Sequence, residues 1–530
     1  MGTLRRNAVH GIGLLLALGC GFHAVERPEP GRPGTNSATA GSSAGPVSSS
    51  SSGASVAGPP APPRGITPDW QLPTASREQL SSGLAVTTVV RRQAPVASVR
   101  LVVWSGTATD DDEPGVARLT AELMAEAGAG NWTRTRLWDR LAELGTALAV
   151  RASPDAIEWS MAVTSNHVEA ALDILGAVAQ RPRLSIGPFS DVRARSVERV
   201  RNAARHDLGW GASWVVYREL FQLPTHAHPY ASFDATEAQL EKLRLADCLR
   251  FYRTHVTPKN TELLVVGDID PEAVRQRAET AFRGWKGARP TQPRFMQPVA
   301  PLRLRVYLVD YPKSARAELR LGLLGPDVRD ADLASVAVAT DLLGAPAGGR
   351  LALDLVRSQS VATRAQADLS PVAHGPAPLL ISASTTTEAI PTVVTAVLDH
   401  IRRLAEQEPR PTELIGATQR LATRQARRSE SVEGLSALLV EYDALGWSKA
   451  DVDGQRDTWR RLTAPILHAE ARRYFRTDRA VIVIATDARR VERSLSRFGE
   501  VEVVAPEQGF TVRRRLAHDP SAPPRVADPG

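Results

Sequence analysis

Apolar residues at Val116, Leu119 and Leu123 recur three and four positions apart, which predicts an amphipathic helix over 116–124, with Pro114 suited to its start and Gly128 to its stop. With period-two alternation in 148–150 and 157–163, strands are predicted on either side of it, over 84–90, 96–104, 148–150, 157–163 and 262–270. In the second of these Ala97, Val99, Leu101 and Val103 form one apolar face. Helical spacing marks 138–144, 168–178, 192–207, 240–252 and 273–285. Beyond residue 303 a similar alternation returns, with strands over 304–309, 317–323, 379–386 and 481–485 and helices over 332–343, 392–406, 413–429 and 464–475. Two similar halves of about two hundred residues point to an internal duplication. The expected fold is α+β, two homologous domains, each a mostly antiparallel sheet with helices packed on one face.

Composition changes this picture at the ends of the chain. The 530 residues are 43% hydrophobic and 23% charged, as in a globular protein. The net charge of +7 invites a nucleic-acid partner, but 58 acidic residues are spread among the basic ones and no basic stripe alternates with aromatics, so none is expected. Arg5 and Arg6, an apolar run over 11–18 and Gly19-Cys20 resemble a bacterial lipoprotein signal, in which Cys20 would be lipidated; an ordinary secretory signal or an uncleaved anchor are the other readings. With Gly21 after the cysteine, the resemblance implies the bacterial cell envelope, lipid-anchored at the outer membrane or periplasm. The Ser/Gly/Pro-rich stretch that follows cannot bury enough apolar surface to order itself. The expected organisation is therefore signal peptide 1–20, disordered tether 21–70, first domain 71–290, Pro-rich linker 291–303, second domain 304–512 and disordered tail 513–530. Cys248, in a helical pattern, reads as an inert packed thiol.

The order of elements carries a resemblance. A strand leads to the 116–124 helix, a second helix ends in Leu144-Gly145, and two strands and a long helix follow. Later come His228-Pro229-Tyr230, Pro258-Lys259-Asn260 and the strand containing Val265-Val266-Gly267-Asp268. Over about residues 72–510 this resembles the insulinase/pitrilysin (M16) family of zinc peptidases, which implies two M16-type domains. The family's 116–124 equivalent carries His-x-x-Glu-His, two zinc ligands and a general base. Those places fall here on Arg118, Ala121 and Glu122. A guanidinium stays charged and offers no lone pair, and Ala121 accepts no proton. The family's third ligand, a glutamate, falls by spacing on Arg199. Glu198 is one residue, about 100° of helix, away and reads as a surface acid.

The resemblance also implies a substrate-holding Arg and Tyr after a Gly-rich turn. The turn is present as Gly348-Gly349-Arg350-Leu351, the Arg place falls on Arg357, and the Tyr place on Thr363. Residues 344–349 are the nearest equivalent of the glycine-rich loop that inactive relatives use to bind peptides, or else a plain turn at a helix end. The expectation is an M16 homologue without its zinc motif and with no cofactor. It would bind extended peptide and pair with a catalytic M16 paralogue or with itself, and Cys20 would tie it to the membrane. One alternative is an atypical zinc endopeptidase using Glu122, Glu198 and His206. Another is an envelope scaffold that adds peptide strands to a sheet edge. His226 and His228 read as structural or solvated side chains.

Overall fold

A computed structural model describes residues 70–223 and 228–523; the signal, Cys20, nearly all of the tether and His226 lie outside them. The first half holds strands β1 (Ser76–Gln79), β2 (Ala85–Val90), β3 (Val96–Val103), β4 (Ala149–Ala152), β5 (Ile157–Thr164) and β6 (Thr261–Gly267). Its helices are α1 (Val116–Glu126), α2 (Arg134–Glu143), α3 (Val168–Gln180), α4 (Ile186–His206), α5 (Leu208–Leu220), α6 (Glu237–Lys242), α7 (Leu245–His255) and α8 (Pro271–Ala281). The second half holds β7 (Arg305–Asp310), β8 (Arg316–Asp327), β9 (Ala362–Leu369), β10 (Pro376–Thr386), β11 (Val481–Thr486), β12 (Val501–Ala505) and β13 (Thr511–Leu516). Its helices are α9 (Leu333–Gly344), α10 (Ile390–Glu406), α11 (Pro411–Arg428), α12 (Val432–Ala444), α13 (Lys449–Arg461), α14 (Ala464–Tyr474) and α15 (Ala488–Leu495).

The sheets run β1-β2-β6-β3-β5-β4 and β13-β12-β7-β11-β8-β10-β9. The fold is α+β, and the duplication holds element by element. The shared order β2-β6-β3-β5-β4 matches β7-β11-β8-β10-β9. In both, the first pair is parallel and the other three are antiparallel. Helix α1 corresponds to α9, α4 to α11 and α5 to α12 in chain order.

The helices do more than cover one face of their own sheet. Alternate residues of β6 face opposite ways: Leu263 and Val265 join the main core, while Leu264 and Val266 pack with Leu435, Leu438 and Leu439 of α12. Helix α12 thus crosses from the second half onto β3 and β6, and α5 crosses from the first half onto β8 and β11. Each crossing is pinned by an arginine on the equivalent strand. Arg100 of β3 donates from Nε to Ser436 Oγ (2.7 Å), from Nη2 to the Glu433 carbonyl (3.1 Å) and from Nη1 to Glu158 Oε2 (3.2 Å). Arg320 of β8 donates from Nε to Ser213 Oγ of α5 (3.4 Å). At the end of α5, Tyr307 donates to Glu219 Oε2 (2.7 Å), and Trp214 stacks on Phe510 at 4.3 Å.

Two expectations are corrected. The helix expected over 240–252 is two, α6 and α7, because Leu243 and Arg244 are extended and Asp247 accepts the Arg244 N–H (2.8 Å) to start a new helix. The tail expected to be disordered from 513 instead continues strand β13 to Leu516, paired antiparallel with β12.

Arg100 is 8% exposed and its carboxylate partner Glu158 is 5% exposed, so removing one leaves the other's charge buried. Arg100→Ala should lower the unfolding free energy by about 3 kcal/mol in urea titrations, where a half-exposed arginine such as Arg140 should cost under about 0.5 kcal/mol.

Candidate functional site

Helix α1 begins where Asp110 accepts two backbone N–H groups, from Gly115 (2.6 Å) and Ala117 (2.9 Å), one on each carboxylate oxygen. These are N–H groups that a helix start leaves without intrahelical partners. Val116, Leu119, Leu123 and Met124 are buried in the core. Ala121 is buried as well, and its carbonyl accepts from Trp159 Nε1 of β5 (3.0 Å). That leaves one polar stripe, Arg118, Glu122 and Glu126, at four-residue steps and half-buried.

Helix α4 meets this stripe with Ser196 and Arg199, three residues apart on one face. Ser196 Oγ donates to Glu122 Oε2 (3.0 Å), and Glu126 pairs with Arg195 and, at 3.0 Å, with Arg134. Arg199 Nη1 donates to Asp234 Oδ2 (2.8 Å). Asp234 also accepts from the Trp210 indole (3.4 Å) and its own neighbour Ala235 N–H (2.9 Å). Burial pushes the Glu122 carboxyl above its ordinary range, against the pull of Arg199 and then Arg118. Burial pushes Asp234 the same way, but there the Arg199 and Arg118 charges outweigh it and hold the carboxyl below the usual range. The site is therefore a cluster of two guanidiniums and two carboxylates.

Other residues singled out in the sequence fall elsewhere. Glu198 is exposed and occupied by Arg201 (2.9 Å) and Asn202 (2.7 Å), and His206 is exposed near the end of α4. The set Glu122, Glu198 and His206 is not brought together, and among the described residues no three His, Cys, Asp or Glu side chains gather as metal ligands. Arg350 makes a two-pronged pair with Glu413 of α11, from Nε (2.9 Å) and Nη2 (3.0 Å). Arg357 is exposed at the end of a π-helical turn, Ala352–Ser358, and Thr363 lies on β9 with its hydroxyl on the Ser384 carbonyl (3.2 Å). Gly344 and Gly349 have packing reasons. A Cβ would come within 2.0 Å of Ala367 N at the first and 2.3 Å of Ala345 N at the second. These glycines make a tight turn against β9, with Gly348 between Gly344 and Gly349 at φ +115°. His228 is buried, and its Nδ1 accepts the Tyr230 N–H (3.0 Å).

Asp110, Ser196 and Asp234 were not among the sequence candidates. Asp110 stands in an acidic run that reads as a loop, and nothing about Asp234 separates it from other surface acids in a one-dimensional reading. Strand β4 lies against α1 and, among the described residues, pairs with β5 alone, so its other side is a sheet edge.

Residues 86–208 match the family model described as insulinase (peptidase family M16), and residues 242–421 match the one described as peptidase M16 inactive domain. No protein with curated annotation matches the chain. Among solved structures, the chain is similar to a peptidase M16 inactive domain from Pseudomonas fluorescens, with a TM-score of 0.69 and 22% identity, over 78% of this chain and 97% of that one. It is similar to a protease from Helicobacter pylori, with a TM-score of 0.71 and 17% identity, over 78% of this chain and 100% of that one. It is also similar to a chain of complex III2 from Candida albicans, with a TM-score of 0.65 and 14% identity, over 78% and 96%.

Two measurements test the site's energetics. Arg199→Leu strands Asp234 as a buried charge and should cost about 3 kcal/mol in denaturant titration, while Arg199→Leu with Asp234→Leu should recover most of the loss. For Asp110, burial pushes the carboxyl up to about 7 against its two backbone bonds and the Arg118 charge. Its folded value lies above the ordinary 3.8, so its stabilising contribution is complete below that pH and is lost as pH rises through about 7. The unfolding free energy of the native chain, minus that of Asp110→Asn, should therefore fall across this window.

Proposed function

The chain belongs to the M16 peptidase family, and we propose that it is a member that has given up zinc chemistry and serves as a non-catalytic subunit that binds extended peptides. The observation that carries this reading is Arg199. It faces Glu122 where the resemblance expects a zinc-ligating glutamate, while Arg118 and Ala121 stand where it expects a histidine and the general base. Zinc catalysis needs three lone-pair donors and an open water position. Of the four residues at the places of the family's ligands and base only Glu122 offers donor oxygens, the nearby Asp234 is taken up by Arg199, and two fixed positive charges stand beside Glu122. Zinc does not fit this donor set, and no cofactor is assigned.

The open edge of β4, packed on α1, is where an extended peptide would add as a further strand. A peptidase fold that binds without cutting gains use from a partner that cuts, so a catalytic M16 paralogue is the partner proposed, with self-association as its alternative. Anchoring through Cys20 at the bacterial cell envelope is part of the same proposal. The alternative zinc peptidase draws no support from Glu198 and His206, which lie on the outer side of α4.

Elemental analysis of the purified full chain should find less than about a tenth of an equivalent of zinc, and the chain alone should leave unstructured peptides uncut. Stoichiometric zinc that disappears in Glu122→Gln, with peptide hydrolysis, would falsify the reading.

A further inference from the structure

Donors and acceptors on the α1–α4 face do not balance. Arg118 and Glu122 lie one turn apart and face Ser196 and Arg199. Arg118 is half-buried and makes no hydrogen bond or ion pair among the described residues, although its charge acts on Asp110, Glu122 and Asp234. Arg199 spends Nη1 on Asp234, while its Nη2 is buried with no acceptor among the described residues. Asp234 is already taken up by Arg199, Trp210 and the Ala235 N–H. Glu122 gives one oxygen to Ser196, and the other has no donor among the described residues. Buried polar groups are nearly always satisfied, and an unsatisfied donor in a well-packed fold points to a missing acceptor.

We propose that this face receives a carboxylate from an extended peptide, either its C-terminus or an Asp or Glu side chain, held by the Arg118 fork with Arg199 Nη2 as the inner donor. The proposal rests on the peptide-binding reading above and names what that site recognises. A planar guanidinium matches a carboxylate with two parallel N–H bonds, which a water molecule or a peptide carbonyl cannot do. The position agrees with the strand-addition edge, since β4 packs directly on α1. A single negative charge also suits the local balance. A dianionic phosphate would bring a second negative charge up against both Glu122 and Asp234.

The test uses the full chain and fluorescence anisotropy with three short labelled Val/Thr-rich peptides: one with a free C-terminal carboxylate, the same peptide as its C-terminal amide, and the amide with one internal Glu. At least one carboxylate-bearing peptide should bind about tenfold more tightly than the plain amide, the worth of one charge-assisted hydrogen bond. Preference for the free acid alone assigns the C-terminus, and preference for the Glu peptide assigns a side chain. Arg118→Gln should erase the preference and Arg118→Glu should reverse it, with thermal midpoints confirming that both variants fold. Equal binding of all three peptides, or a preference that survives Arg118→Gln, overturns the carboxylate site while leaving peptide binding intact. If none of the three binds, the peptide-binding reading fails and this proposal fails with it.

Discussion

A sheet has two faces, and in this chain the helices between a half's own strands cover only one of them. The second face of each sheet is closed by a helix lent from the other half, α12 over β3 and β6 and α5 over β8 and β11. Burying a leucine fully stabilises by about 2 kcal/mol, and α12 brings Leu435, Leu438 and Leu439 to Val89, Leu264 and Val266. Apolar area alone would let the helix slide. Arg100 removes that freedom, because its buried guanidinium would lack acceptors unless it met Ser436, the Glu433 carbonyl and Glu158 together. Its counterpart Arg320 repeats the bond to a serine on α5. The exchange makes the linker between the halves a covalent join between two parts that already complete each other.

The duplication also makes sense of the altered site. In the second half, Asp341 of α9 is 3% exposed and receives Arg420 Nε (2.8 Å) and Arg424 Nη2 (2.7 Å) from α11. Helices α9 and α11 are the equivalents of α1 and α4. In the first half the same pair of helices again sets an acid, Glu122, opposite an arginine, Arg199. Both halves thus hold this helix pair with fixed charge of both signs, which asks for no added cation. The halves differ in how completely the charges meet. Asp341 is gripped directly by both of its arginines, while in the first half Arg118 and half of the Arg199 fork have no acceptor among the described residues.

Much of this architecture was legible in the chain. Leu263–Val266 and Val481–Ala485 are unbroken apolar runs, as expected of strands buried on both faces, yet period-two reasoning alone assigns them helices on one side. Nothing local says which helix closes the second face, since α12 has buried apolar residues all along it and lies far in sequence from β3 and β6. The break between α6 and α7 was hidden because Leu240, Leu243, Cys248 and Phe251 keep helical spacing across it, and only the Asp247 bond to Arg244 ends one helix and starts another. In the site, Arg118, Ala121, Glu122 and Arg199 were singled out by the family resemblance laid onto this sequence. Asp234 was not, because its role comes from a tertiary approach to Arg199 that no periodicity encodes.

The fold tolerates this chemistry because helix α1 divides its duties by face. Its apolar stripe and its start on Asp110 build the core, and its link to β5 runs from Trp159 to the backbone carbonyl of residue 121. A backbone bond does not depend on the side chain, so Ala121 keeps the link to the sheet whatever acid–base chemistry that position could otherwise perform. The side chain itself is fully buried, where a carboxylate without a metal or a partner would be costly. Alanine is thus the low-cost residue at this buried position. Arg118 and Glu122 sit on the other stripe, against α4, and can change without moving the core. Substitution on that stripe changes the charge the face presents, while the strands, the exchanged helices and the β4 edge beside it stay in place.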